Sequence, residues 1–423
     1  MTKPVTRPPS AARIITAACI GNALEWYDIA VYSYFAAYLS QAFFKTDSAA
    51  LSMFLTLGTF AVSFLIRPIG AIVLGGYADR AGRKPALTLS IMMMAVGTLL
   101  ICVMPTADAI GPLAAIGVLI ARLIQGFAAG GEFGSATALM VEHLPHRRGF
   151  AASWQFTSQA ISSLIAALLG TGLTTLLTKA EVQSWGFRIP FIVGLLVAPV
   201  GLYIRNVVPE PEESRRVLDA KPAESAPMSL LRRGKAMVVL TMGVLAASTC
   251  VNYLLSYIPT YSIKTLHLAD WLGFAASIAS AIVLMCLTPF AGAFSDRFGQ
   301  VRMMIPAGVG ILVACYPLFL LLTAVPQIGT LVVVVVVLSA LKSMYYGPLG
   351  ALMSSLFPPE TRATGLAVGY NVGVAIFGGF TPLMVDWLIN LTGHAVAPAY
   401  WVMFAAVVSL VSLLILRTRY GKR

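Results

Sequence analysis

The sequence predicts an all-α membrane protein of twelve transmembrane helices, arranged as two parallel six-helix repeats. Three observations carry that expectation. Of 423 residues, 58% are hydrophobic and 11% charged, against about 25% charged in soluble domains; the mean hydropathy is +0.84. Apolar runs of about 20 residues, enough to cross a ~30 Å hydrocarbon core, recur from end to end. Two polar markers also occur twice at nearly the same spacing. Gly75-Gly76-Tyr77-Ala78-Asp79-Arg80-Ala81-Gly82-Arg83-Lys84 is echoed 217 positions later by Gly292-Ala293-Phe294-Ser295-Asp296-Arg297-Phe298-Gly299-Gln300. Pro145-His146-Arg147-Arg148 is echoed 214 positions later by Pro359-Glu360-Thr361-Arg362. A repeat of half the chain is the mark of an internally duplicated architecture.

The predicted spans are 14–38, 50–77, 86–104, 112–141, 150–177, 189–205, 236–258, 271–294, 303–324, 328–356, 364–389 and 398–416. Span one follows Lys3, Arg7 and Arg13, as a signal peptide would, but Glu25 and Asp28 interrupt its apolar run and no small-residue cleavage site follows. It reads as an uncleaved helix. Spans two and three flank the first polar marker, and Arg67 before Pro68 predicts a bend in span two. In span four, Gly126, Gly130 and Gly134 repeat a small-xxx-small pattern that lets a neighbouring helix approach closely. Span five carries a polar stripe of Gln155, Ser158, Gln159 and Ser162. Residues 206–235 hold Pro209, Pro211, Glu212, Glu213, Arg215, Arg216, Lys221, Pro222, Arg232 and Arg233, the composition of a solvated linker. It divides an N-terminal bundle, 1–205, from a C-terminal bundle, 236–423. Span seven offers Asn252, Tyr253 and Tyr257 before Pro259; span ten holds Lys342 with Tyr345 and Tyr346 on the same face. The sequence stops a few residues past span twelve, with no heptads.

A net charge of +12 could suggest nucleic acid, but its distribution argues otherwise. Of 29 Lys and Arg, twenty-two fall on one set of loops and the termini, four on the other set and three within helices. That asymmetry is the positive-inside rule, so 206–235 and both termini are expected on the cytoplasmic side of an inner (plasma) membrane. The expected partners are the lipid bilayer, protons and a small-molecule substrate, with no nucleic acid; the chain is read as a monomer. Cys19, Cys102, Cys250, Cys286 and Cys315 lie far apart inside apolar spans, without metal-ligand or CxxC spacing, and are expected to be small buried hydrophobes. No metal or cofactor is expected.

The loop Gly75–Lys84 resembles the signature of the major facilitator superfamily: glycine, small residue, Asp-Arg, glycine, two basic residues. Arg122-Leu123-Ile124-Gln125-Gly126 resembles that superfamily's second motif. Gly21-Asn22-Ala23-Leu24-Glu25-Trp26-Tyr27-Asp28, Arg67-Pro68-Ile69-Gly70 and Trp185-Gly186-Phe187-Arg188-Ile189-Pro190-Phe191 are similar to its metabolite:proton symporters. Members of that family carry citrate, 2-oxoglutarate, shikimate, other carboxylates, or proline and betaine. The resemblance implies that Asp79, Arg80, Arg83 and Lys84 act as a lock that holds one conformation closed. An acid placed after span two could also face the positive N-terminus of a helix from the other half. In the second copy Gln300-Val301 replaces the basic pair, which leaves an equivalent charged lock there open.

Ionisable groups at mid-bilayer cost about 2.5–3.5 kcal/mol even on lenient scales, so each is a functional candidate. Six are counted well inside spans: Glu25, Asp28, Arg67, Arg122, Glu132 and Lys342. Asn22, Glu25, Asp28 and Tyr32 share one face of span one. Desolvation favours a protonated carboxyl and a nearby arginine favours the ionised one. An acid caught between the two can take up or release a proton as its partner moves. Glu25 and Asp28, with Glu132 next, are therefore the expected proton-coupling residues; a static ion pair is the alternative. Glu132 and Arg122, ten residues apart, are about 15 Å apart along one helix and cannot pair within it. Arg67, Arg122 and Lys342 would meet an anion, with Tyr32, Gln155, Gln159, Tyr253 and Tyr346 as further contacts.

These features point to a secondary transporter: a proton symporter of a small organic anion. The segment Ala375-Ile376-Phe377-Gly378-Gly379-Phe380-Thr381-Pro382 resembles citrate and tricarballylate carriers, which favours a di- or tricarboxylate such as citrate. A zwitterion such as betaine or proline is the alternative, since one cation and an aromatic cage would suit it. An intramembrane enzyme is a third reading, but neither HExxH nor GxSxG occurs, and without GxxxxGK[ST] no nucleotide drive is expected.

Overall fold

A computed structural model describes residues 11–195 except 82, 132–135, 138–139 and 142–143, then residue 199 and residues 234–421 except 359–361. Among the described residues the regular structure is helical. Among the described residues, eight helices are long and apolar enough to cross a membrane, and they supply spans two, five and seven to twelve. The shorter apolar helices Thr88–Val103, Leu113–Ala128 and Gly186–Leu195 supply spans three, four and six. Ala11–Tyr34, interrupted by its own charges, is span one. The predicted linker, apart from Gly234 and Lys235, lies outside the described residues.

The helices break where the backbone demands it. Span one ends at Tyr34 and resumes as Ala36–Phe43. Span two divides at Ile66 into Ala49–Leu65 and Arg67–Ala81, one residue earlier than the predicted bend. Pro68 then falls in the first turn of the second piece, where its missing N–H leaves no bond unmade. Span seven corrects the sequence reading: Lys235–Lys264 runs through Pro259 without ending there. Span eleven is helical at Arg362–Val374, widens to a π-turn over Ala375–Gly379, and continues as Thr381–Thr392. At that turn the rings of Tyr253 and Phe64 lie against Gly378 and Gly379, where a side chain would collide with them.

Span four lets a neighbour approach closely, as its glycines predict, and that neighbour is span two. Gly126 backs onto the Ser63 carbonyl, and Gly130 onto the Arg67 carbonyl and the Ala71 amide, so any side chain there would strike fixed backbone. Gly134 lies outside the described residues. The first six spans meet the last six through spans five and eight, five and ten, two and eleven, and one and seven. The five–eight and eleven–two contacts exchange under a half-chain repeat. The cysteines are free; Cys286 is exposed on the outer surface and Cys102 half-buried, which corrects the expectation that all five are buried.

The two sets of six spans are hydrogen-bonded to each other at both ends of the bundle. At the end carrying the two marker loops, Asp296 of span eight accepts the backbone N–H groups of Gly149 (2.7 Å) and Phe150 (3.1 Å) at the start of span five. At the opposite end, Tyr38 donates to Asp270 (2.6 Å), and Ser33 donates to the Ser256 carbonyl (3.1 Å).

Candidate functional site

Span one brings its polar face against spans two to six. Asn22 donates to the Gln155 carbonyl (2.8 Å) and the Ser158 hydroxyl (2.7 Å) of span five. One turn on, Glu25 forms an ion pair with Arg67 at 2.9 Å, both side chains buried. Arg67 is held where span two restarts after Ile66, and its guanidinium lies 4.2 Å from the centroid of Phe64. A further turn along, Asp28 Oδ2 accepts from the Thr98 hydroxyl of span three at 2.8 Å.

Arg122 of span four reaches this acid through an intermediary. Its Nη1 donates to Gln125 Oε1 (2.8 Å) and its Nη2 to Ser63 (3.2 Å). Gln125 Nε2 in turn donates to Thr98 (2.9 Å) and approaches Asp28 Oδ2 at 3.5 Å. The guanidinium stands over the rings of Tyr32 (4.5 Å) and Phe60 (5.3 Å). Glu25, Asp28, Ser63, Arg67, Arg122 and Gln125 line a small cavity of about 10 Å³. Asp28 Oδ1 is buried with no hydrogen-bond partner among the described residues.

The second group of candidates lies where the two sets of six spans meet. Lys342, 2% exposed, donates to Asn252 Oδ1 of span seven and sits 4.6 Å from the centroid of Tyr346. Tyr346 stacks on Phe156 at 3.9 Å and donates to Gln159 of span five (3.3 Å). Tyr345 turns away into the last six spans, donating to the Val244 carbonyl. Tyr253 packs against Trp26, Phe60 and Phe64 with its hydroxyl unmatched, and neither polar atom of the Gln155 amide has a partner among the described residues.

Two sets of predicted residues are not tested by this geometry. Glu132 lies outside the described residues. Asp79 and Arg80 fall in the last turn of Arg67–Ala81, and Arg83 and Lys84 open Arg83–Val103, but their side chains are outside the described set. The second copy of the marker lacks the basic pair but keeps the acid. Asp296 caps the N-terminus of span five without the basic pair, because the amides and the helix dipole supply the positive partner.

The sequence reading missed other groups. Thr98 gives no signal of its own, being uncharged, and Gln125 stands out in the sequence only as part of the Arg122–Gly126 motif, with no role of its own. Asp386 is a further buried charged residue, passed over because it falls close to the predicted end of span eleven. It accepts from Lys264 (2.6 Å), Tyr257 (2.9 Å) and Asn390 (3.1 Å).

The profile of the family described as "Sugar (and other) transporter" matches residues 14–418. The chain belongs to this family. It is a multi-pass membrane transporter of the major facilitator superfamily rather than an enzyme. The transporter is 34% identical to the citrate-proton symporter of Klebsiella pneumoniae, over 93% of this chain and 88% of that one. It is 31% identical to the proline/betaine transporter of Escherichia coli K12, over 95% and 82%. A partially occluded inward-open structure of the xylose transporter XylE from E. coli superposes with a TM-score of 0.76 at 17% identity, covering 96% of this chain and 97% of that one. Its fold is therefore the twelve-helix fold of the superfamily.

Proposed function

We propose that this transporter is a proton symporter of a small organic anion, a di- or tricarboxylate such as citrate. In this reading it works as a monomer by alternating access across the bacterial inner membrane, with both termini cytoplasmic. Bundles 1–205 and 236–423 move against each other about the linker 206–235. The observation that carries the substrate charge is Lys342. It is buried beside a neutral amide and a ring, with no carboxylate partner among the described residues. A buried cation without a counter-ion is costly unless an anion joins it. Relatives named for citrate-proton symport support the same class.

The proton falls to Asp28. Glu25 is committed to Arg67, whereas Asp28 keeps one oxygen unmatched. A substrate carboxylate competes for Arg67 and joins Lys342; the cluster of acids then carries more negative charge than its cations balance, and Asp28 takes a proton. Substrate and proton together bring the site closer to neutral, and the neutral site changes its access at less electrostatic cost. Gln155, Gln159, Tyr253 and Tyr346 supply hydrogen bonds around the anion, and Tyr32 supports Arg122. Asp79, Arg80, Arg83 and Lys84 serve as a conformational lock.

A second reading, a zwitterionic osmolyte, has its own support. Trp26, Phe60, Phe64 and Tyr253 form an aromatic cluster, and proline/betaine transporters are among the relatives. Uptake of labelled citrate into proteoliposomes with an imposed pH gradient, competed by unlabelled citrate or betaine, separates the two. Absence of citrate accumulation beside pH-driven accumulation of labelled betaine would overturn the anion reading.

A further inference from the structure

We propose that Gln125 is a positioning residue that sets the proton affinity of Asp28 by standing between that carboxylate and Arg122. The inference rests on the reading of Asp28 as proton carrier. Its geometric basis is a three-residue relay. Arg122 donates to Gln125 Oε1, and the amide's other end donates toward Thr98 and Asp28 Oδ2. Arg122 and Asp28 do not meet as an ion pair. A direct arginine partner would hold an aspartate firmly ionised. A neutral amide transmits part of that attraction and leaves the acid free to accept a proton.

Thr98 makes the relay sensitive to the result. Its hydroxyl has one proton and two acceptors in reach, Asp28 Oδ2 at 2.8 Å and the Met94 carbonyl at 3.0 Å. A hydroxyl donates to one of them at a time. It serves the charged carboxylate and can turn to the carbonyl once Asp28 is neutral. Asp28 Oδ1, the unmatched oxygen, is the atom the proton joins, because a buried anionic oxygen without a donor is the costlier state. Around Asp28 the ionisable groups are Tyr27 and Glu25 on its own helix, Arg67 on span two, Cys102 on span three and Arg122 on span four. Span six turns Gly194 toward Oδ1, and span five faces span one with uncharged Gln155 and Ser158.

The test needs no substrate. Infrared titration of the purified transporter follows the protonated-carboxyl band, and the part absent in Asp28→Asn belongs to Asp28. In Gln125→Leu, with Gln125→Met as a second variant, Arg122 closes on Asp28 and the midpoint moves to lower pH by about 1–3 units. In Thr98→Val the carboxylate loses a donor and the midpoint moves to higher pH. A merely structural role would leave both midpoints at the wild-type value, and that result overturns the relay. If no band is missing in Asp28→Asn at any pH, the reading of Asp28 as proton carrier fails instead.

Discussion

The two sets of six spans treat buried charge in opposite ways. The first set presses two acids and two arginines into one cluster, with Glu25 on Arg67 and Asp28 linked to Arg122 through Gln125. The last set keeps its charges apart: Asp386 pairs with Lys264, and Lys342 is left to a neutral amide and a ring. A cluster that neutralises itself can exchange partners and protons internally. A cation held without an acid is prepared for a charge that comes from outside. On the proposed reading, that contrast fits coupling centred in the first set and recognition of the substrate's charge at Lys342 in the last.

The largest expected effect tests that division. Asp28→Asn should abolish accumulation driven by a pH gradient while exchange at equal pH survives, because the neutral amide mimics the protonated acid permanently. Glu25→Gln should impair both, since it strips Arg67 of its partner. Proteoliposome uptake with and without the gradient, beside counterflow, measures both. Full pH-driven accumulation in Asp28→Asn would place the proton elsewhere, with Glu132 the next residue to examine.

Lys342→Met comes second. It should raise the apparent KM for a carboxylate about 10- to 100-fold, the equivalent of losing a charge-assisted hydrogen bond of about 1.5–3 kcal/mol, with the pH dependence of uptake unchanged. An unchanged KM would return Lys342 to a packing role and blur the contrast between the halves.

Asp386 supplies the third comparison, with a stability readout. Asp386→Asn leaves Lys264 and Tyr257 with a weaker acceptor. The cost should be about 1–2 kcal/mol by thermal unfolding in detergent, below the roughly 3–5 kcal/mol for breaking a fully buried charged pair. Lys264 is 26% exposed at its side chain, so water recovers part of the loss. Transport coupling should persist, in contrast to Asp28→Asn.

The sequence exposed the first cluster more clearly than the second for a physical reason. Charges deep in apolar runs stand out because of their cost, and Glu25, Asp28, Arg67, Arg122 and Lys342 were all visible on that ground. The spans were visible through their length, and the glycines of span four foretold a close helix contact without saying which helix makes it. What stayed hidden depends on contacts far apart in the chain. Nothing local marks Thr98 or Gln125 as the neighbours of Asp28, and Asp386 is unremarkable until span seven continues past Pro259 and delivers Lys264 to it. The π-turn at Ala375–Gly379 likewise lies against Tyr253 and Phe64, residues distant in the chain.

The smallest expected effect concerns the two ends of span eight, where an acid in its first turn and another in its last bind the other half differently. Asp296 accepts two backbone amides at a helix N-terminus, and Asp270 accepts one tyrosine hydroxyl. Alternating access requires one end to release while the other holds. Asp296→Asn keeps the shape but turns an amide toward N–H donors, so the marker-loop end should open more often. Tyr38→Phe removes the single hydroxyl and should favour opening at the opposite end. A hydrogen bond of about 1 kcal/mol corresponds to roughly a fivefold change in population. Hydrogen–deuterium exchange resolves the two. Asp296→Asn should raise exchange over 148–160 and leave 36–43 unchanged, and Tyr38→Phe should do the reverse. The Asp296→Asn change should be the larger, because its carboxylate faces two donors and a helix dipole rather than one phenol. If both variants loosened both ends equally, span eight would be a passive strut and the two acids would not act as separate latches.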